Sequence, residues 1–174
     1  MALATSAVSA AAAAVTGWRP ELLVWLLLAP FAVAAAATDW EVHRIPDALT
    51  LPMAVATLTL LSAAALLPHH EGSALTAAAG ALALAATFLL IAVLNPRGLG
   101  LGDVKLALTV GAATGWYGWT AVAAAALAAH LLGAIYGVAL LVSGRAGRHA
   151  TIPFAPMMLL GTLFGMVLGT SSRL

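Results

Sequence analysis

Residues 74–94 read ALTAAAGALALAATFLLIAVL, a run of 21 residues without a charged side chain. A helix needs about 20 consecutive apolar residues to cross the hydrocarbon core of a bilayer. A shorter apolar stretch runs from Val104 to Gly115. Four further stretches approach or exceed the spanning length, and they are Pro20 to Thr38, Ala48 to Leu67, Trp119 to Val142 and Ile152 to Gly169. The sequence therefore predicts an all-α fold, a polytopic membrane bundle of about six transmembrane helices.

The composition of the whole chain agrees with this fold and narrows the classes of function. Of 174 residues, 63% are hydrophobic and 7% are charged, whereas a soluble domain carries about 25% charged residues. The net charge of +1 provides no basic face for nucleic acid. Because the sequence contains no cysteine, it has no disulfide, no thiol nucleophile and no thiolate metal site.

The first residues differ from the predicted spans. Met1 to Val15 form an alanine-rich apolar run that lacks the Lys or Arg of a signal peptide. We interpret residues 1–19 as a weakly ordered or interfacial extension, and residues 20–174 as a six-helix membrane domain. No segment is polar enough and long enough to form an attached soluble domain.

The basic residues predict the orientation of the spans. Numbering the spans in order, loops 2–3 and 4–5 contain no Lys or Arg, and each terminus has one Arg, Arg19 and Arg173. Since loops rich in Lys and Arg remain in the cytoplasm, we expect the other three loops to be cytoplasmic and both termini to be outside. Those three loops contain Arg44, Arg97, Lys105, Arg145 and Arg148.

Glycines recur at four-residue spacing in the later spans. Such spacing allows two helix backbones to approach closely. It predicts either tight packing within the bundle or a homodimer. The pairs are Gly111/Gly115, Gly133/Gly137, Gly161/Gly165 and Gly165/Gly169.

Two acidic side chains lie where the chain crosses the predicted inner face. Asp39 follows the first span, and Asp103 precedes the fourth. Two carboxylates that approach closely cannot both ionise, so they share a proton and one pKa rises. The ionised member can then take a proton from water while the protonated member polarises a carbonyl. This is the chemistry of an aspartic peptidase, and we expect it to require no metal and no cofactor.

Glycines surround the second of these aspartates. Gly98, Gly100 and Gly102 precede Asp103 in the segment GLGLGD. They leave the backbone unrestrained and uncovered, so a substrate strand could lie against it. The alternative is a flexible loop in which Asp103 caps the helix that follows.

Three further charged residues could support the pair. Asp47 follows Pro46 at the start of the second span, where an N-cap is the simplest role. Glu41 could tune the pKa of the two aspartates or attract a basic substrate, or it could be a solvated loop charge. Lys105 marks the inner interface and is a candidate partner for a catalytic aspartate.

Two histidines raise separate questions. His43 alternates with Asp39 and Glu41, an arrangement that would suit a divalent ion, but we predict no bound metal. His130 is the ionisable side chain deepest in a predicted span, and it serves either packing or catalysis.

Two motifs in this order resemble those of the type IV prepilin peptidase family. The first is Asp39, followed by Asp47 in Arg-Ile-Pro-Asp, and the second is Gly-Leu-Gly-Asp103-Val-Lys-Leu. These enzymes are membrane aspartic peptidases of the Gly-x-Gly-Asp class. The resemblance implies that Asp39 and Asp103 are catalytic. It also implies a multi-pass protein of the bacterial inner membrane that removes the basic leader of prepilins or pseudopilins, in type IV pilus or type II secretion systems.

One departure from the family bears on a second activity. Many members carry a cysteine-bearing cytoplasmic segment and also N-methylate the new terminus. This chain has no cysteine and a short first inner loop, so it resembles the compact form, which argues against methyltransferase activity. The residues alone also leave open a small transporter or channel that uses the same carboxylates as proton or cation sites, and a non-catalytic membrane scaffold.

Overall fold

The computed structural model of this chain describes residues 1–96, 98–144 and 152–171. These residues form helices and no strand, which confirms the all-α fold. Arg97, Arg145, Arg148 and Arg173, which entered the orientation argument, lie outside the described residues. The helices are α1 (Ala2–Thr16), α2 (Pro20–Val42), α3 (Asp47–Ala64), α4 (Ala74–Leu94), α5 (Leu101–Trp116), α6 (Trp119–Val142) and α7 (Ala155–Ser171).

Four of these helices, α2, α3, α4 and α6, are long and apolar enough to cross a membrane. Helices α5 and α7 have 16 and 17 residues. At a rise of 1.5 Å per residue they measure about 24–26 Å, less than the hydrocarbon core of about 30 Å. The chain is therefore a polytopic membrane bundle, and two of its six predicted spans are short.

Helices α4 and α5 form one close pair, and α6 and α7 form another. A Cβ atom on Gly115 would lie 2.5 Å from the carbonyl oxygen of Thr76, and one on Gly165 would lie 2.5 Å from that of Ala121. Backbones can approach this closely only where the side chain is a hydrogen atom. The four-residue spacing of the glycines is thus used for packing within the chain.

The first helix differs from its prediction. Residues 1–19 were expected to be weakly ordered or interfacial, but Ala2–Thr16 is helical and packs against α2 and α7. Ala12 is buried, and the Thr16 hydroxyl forms a 3.2 Å hydrogen bond with the Tyr117 hydroxyl. An apolar segment that can bury one face against a bundle gains enough from that burial to remain helical.

The acidic and aromatic residues at the end of the bundle where α2 and α4 begin are buried or paired. Glu21 is completely buried, and its Oε1 accepts a hydrogen bond from the backbone N–H of Glu71. Glu71 forms an ion pair with Arg19. Neither carboxylate is simply a solvated charge at the end of a span. Trp116 and Tyr117, which resemble interfacial belt residues in the sequence, are also buried.

Candidate active site

Asp39 lies in the last turn of α2, which continues to Val42 rather than ending at Thr38. The helix ends because His43 adopts the left-handed conformation at φ 53°, and its N–H donates to the carbonyl of Asp39. The Asp39 side chain is buried, and its Oδ2 accepts a hydrogen bond of 2.8 Å from the N–H of Ala155. The first residue of α7 therefore holds this carboxylate.

Asp103 is the third residue of α5, and its side chain is also buried. Its Oδ2 accepts a 3.1 Å hydrogen bond from the N–H of Gly100, so Asp103 does cap its own helix. Its Oδ1 is buried and has no hydrogen-bond partner in the described part of the chain. A buried carboxylate oxygen without a partner is costly. The cap therefore uses one oxygen and leaves the other available for a bound molecule or a proton.

The two carboxylates influence each other electrostatically. Asp103 precedes the apolar segment of α5, and burial raises the pKa of its carboxyl from the ordinary 3.8 to about 6. The negative charge of Asp39 raises this pKa further, while the Gly100 N–H opposes the rise. The two carboxylates predicted from the two helix ends are therefore close enough for the charge of Asp39 to act on Asp103.

The glycines before Asp103 act through close contact rather than through unusual backbone angles. Gly100 has φ −79° and ψ 152°, which any residue can adopt. A Cβ on Gly100 would lie 3.3 Å from Asp103 Oδ2, and one on Gly102 would lie 3.3 Å from the Cβ of Ile45. The absence of side chains allows the chain after α2 to pack directly on the first turn of α5.

Two of the supporting residues pair with each other. Lys105 Nζ lies 2.6 Å from Asp47 Oδ1, so the expectation that Lys105 pairs with a catalytic aspartate was wrong. Asp47 is the first residue of α3, whose N-cap is Pro46, and no side chain caps that helix. The capping role expected for Asp47 is thus replaced by an ion pair that ties α3 to α5.

The remaining candidates are exposed or serve packing. Glu41 and His43 are exposed, whereas Asp39 is buried, and no group of three potential ligands converges within the described residues. His130 Nδ1 lies 2.8 Å from the carbonyl oxygen of Ala126, and its ring contacts Phe88 and Phe154. A carbonyl can only accept, so Nδ1 carries the hydrogen. These contacts are those of a packing histidine.

Residue types do not indicate the role of the Ala155 amide, because every residue except proline carries a main-chain N–H. A weak pointer is that Pro153 and Pro156 flank this residue. Proline is common in the first turn of a helix, and the first N–H groups of a helix have no partner within it. A carboxylate is a suitable acceptor for such an N–H.

Comparison with known proteins identifies the family of this chain. Residues 26–138 match the model of the type IV leader peptidase family. A prepilin leader peptidase/N-methyltransferase of Aeromonas salmonicida (strain A449) is 30% identical over 151 residues, covering 86% of this chain and 49% of the relative. A prepilin leader peptidase/N-methyltransferase of Burkholderia pseudomallei (strain 1026b) is 32% identical over 169 residues, which cover 97% of this chain and 53% of the relative.

A third relative is more similar over a shorter stretch. The prepilin leader peptidase/N-methyltransferase of Bacillus subtilis (strain 168) is 36% identical over 96 residues, or 53% of this chain and 38% of the relative. The chain thus spans about half the length of the relatives it matches. No solved structure matches it. The family match covers the helices that carry both aspartates, and on that basis the chain belongs to the type IV leader peptidase family.

Proposed function

We propose that this protein is an aspartic endopeptidase that removes the basic leader peptide from prepilin or pseudopilin precursors. The observation that carries the proposal is the pair of buried carboxylates on α2 and α5, one of which has an oxygen without a partner. The family match and the names of the relatives support the substrate.

The chemistry needs one proton on the pair. Asp39, hydrogen-bonded to the Ala155 amide, acts as the ionised base. Asp103, whose pKa is raised by burial, acts as the protonated acid. Asp39 takes a proton from water as the water oxygen bonds to the scissile carbonyl carbon, and Asp103 donates its proton to the carbonyl oxygen. Collapse of this intermediate breaks the C–N bond: the departing nitrogen takes a proton from Asp39, and one hydroxyl of the intermediate returns a proton to Asp103, which restores the pair.

We place the reaction at the cytoplasmic face of the inner membrane. Arg44 and Lys105 lie near the aspartates in sequence, and the positive-inside rule assigns such segments to the cytoplasm. Glu41 is exposed one turn or less from Asp39 on the same helix. Its charge is suited to attract a basic leader, although an exposed charge has a modest effect at physiological ionic strength.

The test is cleavage of a pilin-like precursor co-expressed with the full chain. Separate Asp39→Asn and Asp103→Asn variants should each lose leader removal, because either change removes one of the two proton-transfer groups. Glu71→Gln makes the same chemical change at the opposite end of the bundle and should retain cleavage. Full cleavage by either aspartate variant, at equal abundance in the membrane, would refute the two-aspartate mechanism.

A second activity needs its own assay. The relatives carry N-methyltransferase in their names, but this chain contains no cysteine. We propose that it performs the peptidase step alone. Incubating the cleaved product with a labelled methyl donor should leave its new N-terminus unlabelled, and transfer of the label by the purified chain would contradict this proposal.

A further inference from the structure

The segment before α7 lies against two glycines of α6. A Cβ on Gly133 would lie 3.0 Å from Cε2 of Phe154, and one on Gly137 would lie 2.7 Å from Cδ1 of Ile152. Residues four apart lie on the same face of a helix, one turn from each other. This glycine pair of α6 therefore receives the side chains of two residues that precede α7.

Phe154 also belongs to a cluster of three rings. Its ring centroid lies 5.3 Å from that of His130 and 6.0 Å from that of Phe88, and the His130 and Phe88 centroids are 5.3 Å apart. The rings are tilted or edge to face, the geometries in which aromatic pairs attract each other. The ring cluster (Phe88, His130 and Phe154) thus joins α4, α6 and the start of α7.

His130 is the member of the ring cluster that is held by a hydrogen bond. Its Nδ1 lies 2.8 Å from the carbonyl oxygen of Ala126, one turn earlier in α6. A ring held at one nitrogen has little freedom to rotate, so it presents a fixed surface to Phe154. The packing role of His130 therefore extends to the residue that begins the next helix.

Phe154 controls the direction of the N–H that binds Asp39. It directly precedes α7, and its carbonyl accepts a hydrogen bond from the N–H of Met158. The next N–H along the chain is that of Ala155, which donates to Asp39 Oδ2 at 2.8 Å. Because the carbonyl of one residue and the N–H of the next share a rigid plane, fixing Phe154 also fixes this N–H.

We propose that His130 is a positioning residue for Asp39, which holds Phe154 and thereby keeps the Ala155 N–H on the carboxylate. Within the described part of the chain, no hydrogen bond joins His130 to either aspartate, so its effect passes through Phe154. The geometric part of this proposal does not depend on enzymatic activity. Its consequence for cleavage rests on the proposed peptidase function.

Hydrogen exchange on the full chain in detergent tests the geometry. Pro153 and Pro156 have no N–H, so Phe154 and Ala155 carry the only amide hydrogens between residues 153 and 156. Mass spectrometry of that segment therefore reports directly on the Ala155 N–H. His130→Ala should speed its exchange about threefold to tenfold, the factor that an aromatic contact contributes.

The exchange experiment has a second variant and a control. Phe154→Ala removes the ring that His130 holds and should also speed exchange at Ala155. Leu131→Ala removes the exposed side chain next to His130 on α6 and should leave that exchange unchanged. Unchanged exchange in His130→Ala, or an equal increase throughout α5 that indicates general loosening, would overturn the proposal.

His130→Phe distinguishes a positioning ring from a catalytic imidazole. Phenylalanine keeps a ring beside Phe88 and Phe154 but cannot carry a proton. Exchange at Ala155 and cleavage of a pilin-like precursor should therefore both remain at the level of the unaltered chain. Loss of cleavage with unchanged exchange would show that the imidazole acts by itself, and it would contradict a positioning role.

The pH profile of cleavage shows whether His130 acts through the Ala155 N–H. His130→Ala should move the acid limb of kcat/KM upward by about 0.5–1 pH unit. The basic limb should stay in place, because Asp39 is ionised on both sides of it. In an Ala155→Pro background, which lacks the N–H, His130→Ala should add no further shift. Additive shifts would show that His130 acts by another route.

The outcomes separate this inference from the proposed function. If the unaltered chain cuts no precursor but exchange at Ala155 responds to His130→Ala, the peptidase function is wrong and the positioning role stands. If the chain cuts the precursor and exchange at Ala155 does not respond, the peptidase function stands and the positioning role is wrong.

Discussion

Replacing Ala155 by proline removes one hydrogen bond from Asp39 and changes little else. The Ala155 N–H donates to Asp39 Oδ2 at 2.8 Å, and proline has no N–H. Ala155 is the first residue of α7, the helical position at which proline is favoured. The helix can therefore still begin at this residue while the carboxylate loses its donor.

The expected effect follows from the strength of that bond. A hydrogen bond to a charged group contributes about 1.5–3 kcal/mol, and 1.36 kcal/mol corresponds to one pH unit in a titration. Removing the donor disfavours the form of the pair in which Asp39 is ionised. The acid limb of the pH profile of kcat/KM should therefore move upward by about 1–2 pH units.

The assay is cleavage of a pilin-like precursor in detergent over the range in which the chain remains folded. Ala74→Pro is the control, because Ala74 is the first residue of α4. Ser73 before it has φ −132° and ψ 127°, angles that suit a residue preceding proline. An unmoved acid limb in Ala155→Pro, or an equal shift in Ala74→Pro, would refute the role assigned to this amide.

Four other predictions concern the pair and the packing of the bundle. Burial raises the pKa of the Asp103 carboxyl to about 6. Above that pH its proton is lost, so kcat/KM should fall about tenfold per pH unit. A pH profile that stays flat to pH 8 would contradict this prediction. For the same reason the contribution of Asp103 to stability is present below its unfolded pKa and is lost as the pH rises through 6. Gly115→Ala should lower the unfolding midpoint, because the added Cβ meets a backbone carbonyl of α4. The control Gly137→Ala meets only the end of an isoleucine side chain, so it should lower the midpoint less. Lys105→Met breaks an exposed pair with Asp47, so it should cost at most about 1 kcal/mol and leave the pH profile unmoved.

The sequence predicts the helices well because length and apolar composition decide which segments can cross a bilayer. It also predicts that Asp39 and Asp103 lie at the same end of the bundle, since each lies at the inner end of a predicted span. Both conclusions depend on position along the membrane normal. The order of apolar and charged residues along the chain indicates this position directly, because each apolar span runs from one side of the membrane to the other.

The same pattern does not show which way a residue faces around the helix axis. Glu21 lies in the first turn of α2 and Trp116 at the end of α5, yet both are buried by neighbouring helices. In a soluble helix the polar face marks the exposed side. In a membrane helix both the lipid-facing and the protein-facing sides are apolar, so this marker is lost. Main-chain donors such as the Ala155 N–H are hidden for a different reason, because every residue type except proline carries one.

The lengths of α5 and α7 bear on how a substrate reaches the pair. Both helices begin at the aspartates, and both are about 4–6 Å shorter than a hydrocarbon core of about 30 Å. Because neither helix has residues to spare for a segment outside the membrane, the carboxylates in and beside their first turns lie at the inner boundary of the core, buried inside the bundle. A peptide bond must then descend into the bundle to react. A substrate anchored in the membrane would present its peptide bond near this depth, whereas a fully soluble peptide would have to leave water to reach it.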